Sequence, residues 1–133
     1  MITAAYWIAS RAVHRVLGSQ PIVEIELGDP SKMFDNARRD IHAALAEPPD
    51  DRRVTNLLVG AEACRRCGAL SDDWQATLAA LVGEPWPDRL FAGACVFVGQ
   101  RWPHIQRVAG ELLYERRVLV SRVFELCNLK ELA

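Results

Sequence analysis

Apolar residues recur at helical spacing from the start of the chain. Ala5, Ile8, Ala9, Ala12, Val13 and Val16 fall on one side of a predicted helix over Thr3–Leu17, with Gly18 as its stop. Trp7, Arg11, His14 and Arg15 fall on the other side, with Trp7 and Arg11 one turn apart. The period then switches to two. Val23, Ile25 and Leu27 alternate with Glu24 and Glu26, which predicts a half-buried strand near 22–27 ended by Gly28-Asp29-Pro30. No second segment alternates this clearly, so its partner must be a short flanking segment or another copy of the chain.

Helical periodicity fills the remainder. Ser31 can cap a helix to about Ala46 whose apolar side is Met33, Phe34, Ala37, Ile41, Ala44 and Leu45. Pro48-Pro49-Asp50-Asp51 breaks it, and a third helix over Asp51–Cys67 buries Val54, Leu57, Leu58 and Ala61 before Gly68. Ser71-Asp72-Asp73 opens a fourth to about Val82. After Pro85-Trp86-Pro87, a helix capped by Asp88 and running to about Arg101 meets Trp102-Pro103, a kink or new start, and continues to about Arg117. A last short helix follows Ser121. The expected fold is mostly α, in the α+β class: one domain over 1–133 with about six helices and a small β element.

Composition narrows the classes. The chain has 133 residues, half of them apolar and a quarter charged, enough for one domain with a real core. A net charge of −1 gives no electrostatic footprint for nucleic acid. The longest apolar run, Leu90 to Val98, is far short of the roughly 20 residues a membrane-spanning helix needs. Arg11 interrupts the N-terminal apolar stretch, which therefore does not read as a secretory signal. Cys64, Cys67, Cys95 and Cys127 are expected as reduced thiols in a cytoplasmic protein.

The run Ala5-Tyr6-Trp7-Ile8-Ala9-Ser10-Arg11-Ala12-Val13 resembles the zinc-binding helix of FtsH-type metallopeptidase domains, whose pattern is A-x-H-E-A-G-H-A-V. Trp7 and Arg11 stand at its two histidines and Ile8 at its catalytic glutamate. Residues 21–27 resemble the family's strand along the cleft. Leu58-Val59-Gly60-Ala61-Glu62-Ala63 resembles its L-A-G-x-x-A-E helix, and Ala69-Leu70-Ser71-Asp72-Asp73-Trp74-Gln75-Ala76-Thr77 its G-A-S-x-D-x-x-x-A-T segment. Trp102 to Val123 is similar to the paired C-terminal helices of small bacterial relatives. The resemblance implies a peptidase-like fold with Asp73 at the position of the third zinc ligand and a vestigial cleft formed by Trp7, Arg11, His14, Asp73 and Trp74.

Chemistry then argues against catalysis. A catalytic zinc needs three protein ligands and a water, and hydrolysis needs a base for that water's proton. Indole only donates and guanidinium stays protonated, so Trp7 and Arg11 cannot ligate zinc. No catalytic residue and no metal or other cofactor is expected. Arg11 and Asp73 could form a bridge in place of the metal, with Trp7 stacked nearby; first-turn capping is the plainer reading of Asp73. Trp7 and Trp74 would flank the old cleft, either exposed to a partner or filling the metal's volume. Cys64-Arg65-Arg66-Cys67 has C-x-x-C spacing but sits at a helix end rather than after a strand, so buried thiols are the simpler reading and redox sensing the alternative. His42 and His104 read as surface or helix-end residues. Arg38-Arg39, Arg52-Arg53 and Arg65-Arg66 interleave with acids and read as solvated faces rather than a nucleic-acid stripe.

Three functional readings follow. The first is a catalytically dead peptidase-like domain that binds a protein, a peptide or another copy of itself. The second is an enzyme of unrelated chemistry using the cleft, with Tyr6, His14 and Asp73 as its polar groups. The third is a plain helical interaction domain. The first implies that elemental analysis of the purified protein will return no stoichiometric zinc; one zinc per chain would contradict it.

Overall fold

A computed structural model describes residues 1–20, 22, 24–47, 50–68 and 70–127. Its six helices are α1 (Ile2–Leu17), α2 (Pro30–Ala46), α3 (Asp51–Cys67), α4 (Asp72–Val82), α5 (Asp88–Glu115) and α6 (Val120–Leu126). Two short strands, β1 (Glu24–Glu26) and β2 (Arg117–Leu119), complete it. Of the described residues 79% are helical, and the mostly-α, α+β class expected above holds.

α1 is the axis of the core. It packs chiefly against α3 and α5, which themselves pack together. Its small residues Ala4, Ala5, Ala9 and Ala12 allow this close approach, and all are buried. With neighbours on two sides the helix has almost no wet face. Trp7 is only 3% exposed, which corrects its assignment to a polar face with Arg11 and Arg15. The polar groups this buries are bonded: Ser10 Oγ donates to Trp7 O at 3.2 Å, and Cys64 Sγ to Thr3 O at 3.6 Å.

Trp7 fits because α3 leaves it room. A Cβ on Gly60 would lie 2.6 Å from Trp7 Cε3, 2.7 Å from Cζ3 and 3.1 Å from Arg11 Cδ. Trp74 of α4 sits on the same indole, ring centroids 6.0 Å apart, and Phe34 of α2 meets Trp74 edge-on at 5.3 Å. One aromatic chain thus joins α3, α1, α4 and α2.

β1 pairs antiparallel with β2 inside the chain, in the register Glu24↔Leu119, Ile25↔Val118 and Glu26↔Arg117. Leu27 N–H adds a bond of 2.7 Å to Arg116 O. The alternation is real: Leu27 and Val118 are buried, Glu24 and Glu26 exposed. Pro21 and Val23 of the expected strand, Pro48 and Pro49 of the expected break, and Ala69 of the resembling segment lie outside the described residues. β2 takes the place of the expected helical run to Arg117. α5 stops at Glu115 because Arg116 adopts φ 70°, which turns the chain sharply into β2.

Other helix ends differ in detail. Asp29, not Ser31, caps α2: its carboxylate accepts from Ser31 N at 2.9 Å and Ser31 Oγ at 2.7 Å, with Pro30 in the first turn. Gly18 keeps a negative φ; the left-handed residue after α1 is Ser19, φ 59°. Ser19 N→Val16 O (3.1 Å) and Gln20 N→Arg15 O (2.8 Å) then close the helix in a Schellman arrangement. α5 runs unbroken through Pro103, where a kink or restart was expected. The carbonyl deprived of a donor belongs to Gly99, an exposed residue where water can replace the bond. Asp50 caps α3, accepting from Arg53 N at 2.9 Å; the expected opening of α4 holds, with Ser71 accepting from Trp74 N at 3.4 Å, and Gly68 ends α3 at φ 76° as read. The cap expected at Asp88 is not found: the capping position of α5 is Pro87, which makes no side-chain bond.

Two glycine replacements separate packing from helix propensity. Gly60→Ala should destabilise by about 1–3 kcal/mol through overpacking against the indole. Gly93→Ala, with no atom within 4 Å of the new carbon, should stabilise by up to about 1 kcal/mol. Urea midpoints at constant slope read both; a neutral or stabilising Gly60→Ala contradicts the packing described.

Candidate functional site

The site grows from the exposed end of α1, where the core's small residues give way to charge. Arg11 lies one turn after Trp7, its guanidinium carbon 5.1 Å from the Trp7 ring centroid. Its Nε donates to Asn56 Oδ1 at 2.8 Å and its Nη1 to Asp40 Oδ2 at 3.2 Å. The Arg11 side chain is 21% exposed and that of Asp40 44%. Burial pushes the Arg11 pKa down, the Asp40 carboxylate pushes it up, and Arg15 and Arg53 push it down again. The group remains a cation.

Asn56 organises its neighbours. It is only 5% exposed, in the middle of α3, and every polar atom of its amide is used. Oδ1 takes the Arg11 Nε bond, while Nδ2 donates to Arg11 O at 3.1 Å and meets His14 Nδ1 at 3.0 Å. Turning the amide over would set oxygen against the Arg11 carbonyl and N–H against N–H, so its orientation is determined. His14 Nδ1 must therefore be an acceptor, and the imidazole is neutral with its proton on Nε2. The ring packs edge-on against Phe97 at 5.0 Å. Burial pushes the His14 pKa below its ordinary value, and Arg52 and Arg11 push it further down.

Of the cleft residues named from the sequence, Trp7, Arg11 and His14 share one network with Asn56, and Trp74 packs on Trp7. Asp73 does not join it. Asp73 is exposed in the first turn of α4, whose cap is Ser71, and the carboxylate paired with Arg11 is Asp40. The bridge expected between Arg11 and Asp73 is replaced by one to α2, because α2, not the start of α4, runs beside Arg11. Trp7 and Trp74 are both buried and offer no exposed aromatic pair. Asn56 was missed because a helical Asn between Thr55 and Leu57 carries no local signal. Its role appears only when α1 and α3 meet.

Two hollows flank the Arg11–Asp40 pair. The first, about 450 Å³, lies between α1, α2 and β1 and is lined by Ile8, Arg11, Arg15, Ile25, Met33 and Asp40 among others. The second, about 420 Å³, opens toward the start of α3. Tyr6 is elsewhere: it stacks on Trp102 with ring centroids 5.2 Å apart, and Arg66 covers the indole at 4.9 Å. Among the described residues no bond, ion pair or ring contact joins Tyr6, His14 and Asp73. Cys64 is buried and Cys67 half-buried, its Sγ 3.1 Å from Cys64 O, and burial pushes the Cys64 thiol well above its ordinary pKa. His104 is half-buried within α5 rather than at a helix end, and its Nδ1 is buried without a partner among the described residues. No three His, Cys, Asp or Glu side chains among the described residues converge as a metal ion would require. No described helix is long and apolar enough to cross a membrane.

The chain matches no family model, no curated protein and no solved structure.

The neutral His14 sets a pH dependence. Its folded pKa lies below that of the unfolded chain, so its contribution is complete above about pH 6.5 and is lost as pH falls from there through the folded value. His104, pushed down by burial and by Arg101 and Arg107, acts in the same direction. Urea midpoints should therefore fall between pH 7 and pH 5. His14→Gln, which keeps an acceptor for Asn56 but cannot titrate, should retain only the part due to His104; an undiminished pH slope in that variant contradicts the assigned tautomer.

Proposed function

We propose that this domain is a non-catalytic relative of FtsH-type peptidases that binds an extended peptide in the groove between α1, α2 and β1. The observation that carries the reading is an edge strand beside a filled site. In the sequence resemblance Trp7 and Arg11 align with that family's two zinc-binding histidines, and the groove next to them is bordered by β1. The strand following α1, the α3 segment around Gly60 and the capped start of α4 come in the family's order, which supports it further.

The main chain suggests how a peptide is held. Leu27 N–H points to β2, so by strand alternation the N–H and C=O groups of Glu24 and Glu26 face the opposite edge. An edge oriented this way can accept an added strand, and main-chain bonds supply affinity while pockets for alternate side chains supply selectivity. Ile8, Ile25 and Met33 line an apolar part of the groove, with Arg11 and Asp40 at its far side. Arg11 cannot activate water as a metal ion does: its guanidinium is already bonded to Asn56 and Asp40, and it has no open coordination position.

Fluorescein-labelled, unfolded casein tests the reading. It should bind and remain uncleaved, with or without added zinc. Glu26→Pro removes an outward N–H and none of the ladder's, so it should weaken binding by roughly tenfold, the worth of one such bond, while leaving the melting temperature nearly unchanged. Cleavage of casein, or full affinity in a folded Glu26→Pro variant, would overturn it. Light scattering that finds a dimer abolished by the same replacement would put a second copy on this edge instead.

A further inference from the structure

The amide of Asn56 is held by three bonds that cannot all survive a proton on His14. Oδ1 accepts from Arg11 Nε at 2.8 Å, and Nδ2 donates to Arg11 O at 3.1 Å and to His14 Nδ1 at 3.0 Å. The set is complete only while His14 Nδ1 is bare, because protonation sets N–H against N–H. Turning the amide over satisfies an imidazolium but lays its oxygen on the Arg11 carbonyl and its N–H groups on Arg11 Nε. Withdrawing it instead pulls Oδ1 away from the same Nε. Either way the bond from Arg11 to Asn56 is the one given up.

The surroundings favour a bare imidazole. Arg11 stands one turn before His14 on α1, Arg52 faces it from α3, and Phe97 of α5 meets it edge-on at 5.0 Å. The two charges that act on it are both cations, and burial adds to their effect. Arg11, for its part, has an alternative when released. Its Nη1 is already bonded to Asp40, which is half-buried on α2, whereas Asn56 is buried in α3. A guanidinium that loses the inner acceptor and keeps the outer one moves toward the groove that Arg11 and Asp40 both border.

We infer that His14 is a proton-operated latch: neutral, it fixes Asn56 and through it Arg11; protonated, it frees Arg11 from Asn56 and lets the guanidinium swing into the groove between α1, α2 and β1. The latched state disfavours the proton, so the latch is closed above about pH 6.5 and opens as pH falls through the lower folded value of His14. The latch on Arg11 stands on the hydrogen bonds; its effect on a bound peptide rests on the function proposed above.

Proton–nitrogen NMR of the full chain tests the latch directly. Near neutral pH His14 Nδ1 should show as an unprotonated ring nitrogen. On acidification the Arg11 Nε–H resonance should shift or broaden with the same midpoint as the imidazole. In His14→Gln it should hold to lower pH. Asn56→Asp should reverse the sign, since a carboxylate accepts from both Arg11 Nε and a protonated Nδ1: the His14 midpoint should rise and the Arg11 resonance persist through it. One pH unit below the parent midpoint only about a tenth of the domain stays latched, so affinity for labelled casein should fall roughly tenfold more in the parent than in His14→Gln over the same pH change. An Arg11 resonance that is unmoved while His14 titrates, the same change in His14→Gln, a midpoint not raised in Asn56→Asp, or unfolding while His14 is still neutral overturns the latch. Casein that binds at no pH overturns the peptide reading instead, and the resonances alone then decide the latch.

Discussion

The indole of Trp7 occupies the space that any side chain at position 60 would take, and the arrangement around the groove depends on that one fit. Because Gly60 contributes no side chain, α1 and α3 approach closely enough for Asn56 to reach across to Arg11 and His14. The same indole receives Trp74, which carries α4 and, through Phe34, is tied to α2. α2 in turn supplies Asp40. A rigid aromatic in a close-packed interior cannot be moved by a fraction of an ångström without moving its neighbours. The polar network is therefore as well fixed as the core beneath it.

A guanidinium held by one carboxylate, one amide oxygen and one aromatic face differs in kind from a metal ion. It neutralises charge and orients donors, but it cannot exchange a ligand for an incoming carbonyl or acidify a water. Arg11 is also largely withdrawn from solvent, so its partners share the work of replacing water that a surface arginine would leave to solvent. The paired Asp40 lies on a different element from Asn56, which makes the cation a three-way tie between α1, α2 and α3. On the proposed reading, such a tie keeps the groove's wall in place whether or not a peptide is bound.

Helix positions were legible because periodicity, capping residues and stops agreed: Asp51–Cys67 closed by Gly68, and the Ser71 cap before Asp72, emerged as read. β2 was not legible, since Arg117–Leu119 is three residues long and follows a helical pattern with no turn residue between. Its signal is Arg116 in a left-handed conformation, which only the folded chain reveals. Trp7 was misplaced for a related reason. Periodicity on one helix identifies its most apolar side, but not that α3 and α5 would enclose it from two directions. Of the site, the Trp7–Arg11 spacing could be read from the chain; Asn56 and Asp40 could not, because they lie 45 and 29 positions away from Arg11 and carry no motif.

The two strands are joined across nearly the whole length of the described chain, Ile25 to Val118. During synthesis the helices up to α5 can begin to associate while β1 still has no partner. Its ladder closes only after β2 has emerged from the ribosome, since distant contacts must wait for the intervening chain. The border of the groove thus takes shape only once residues 117–119 are available, and a nascent or C-terminally shortened chain lacking them would hold a helical core while β1 stayed unpaired.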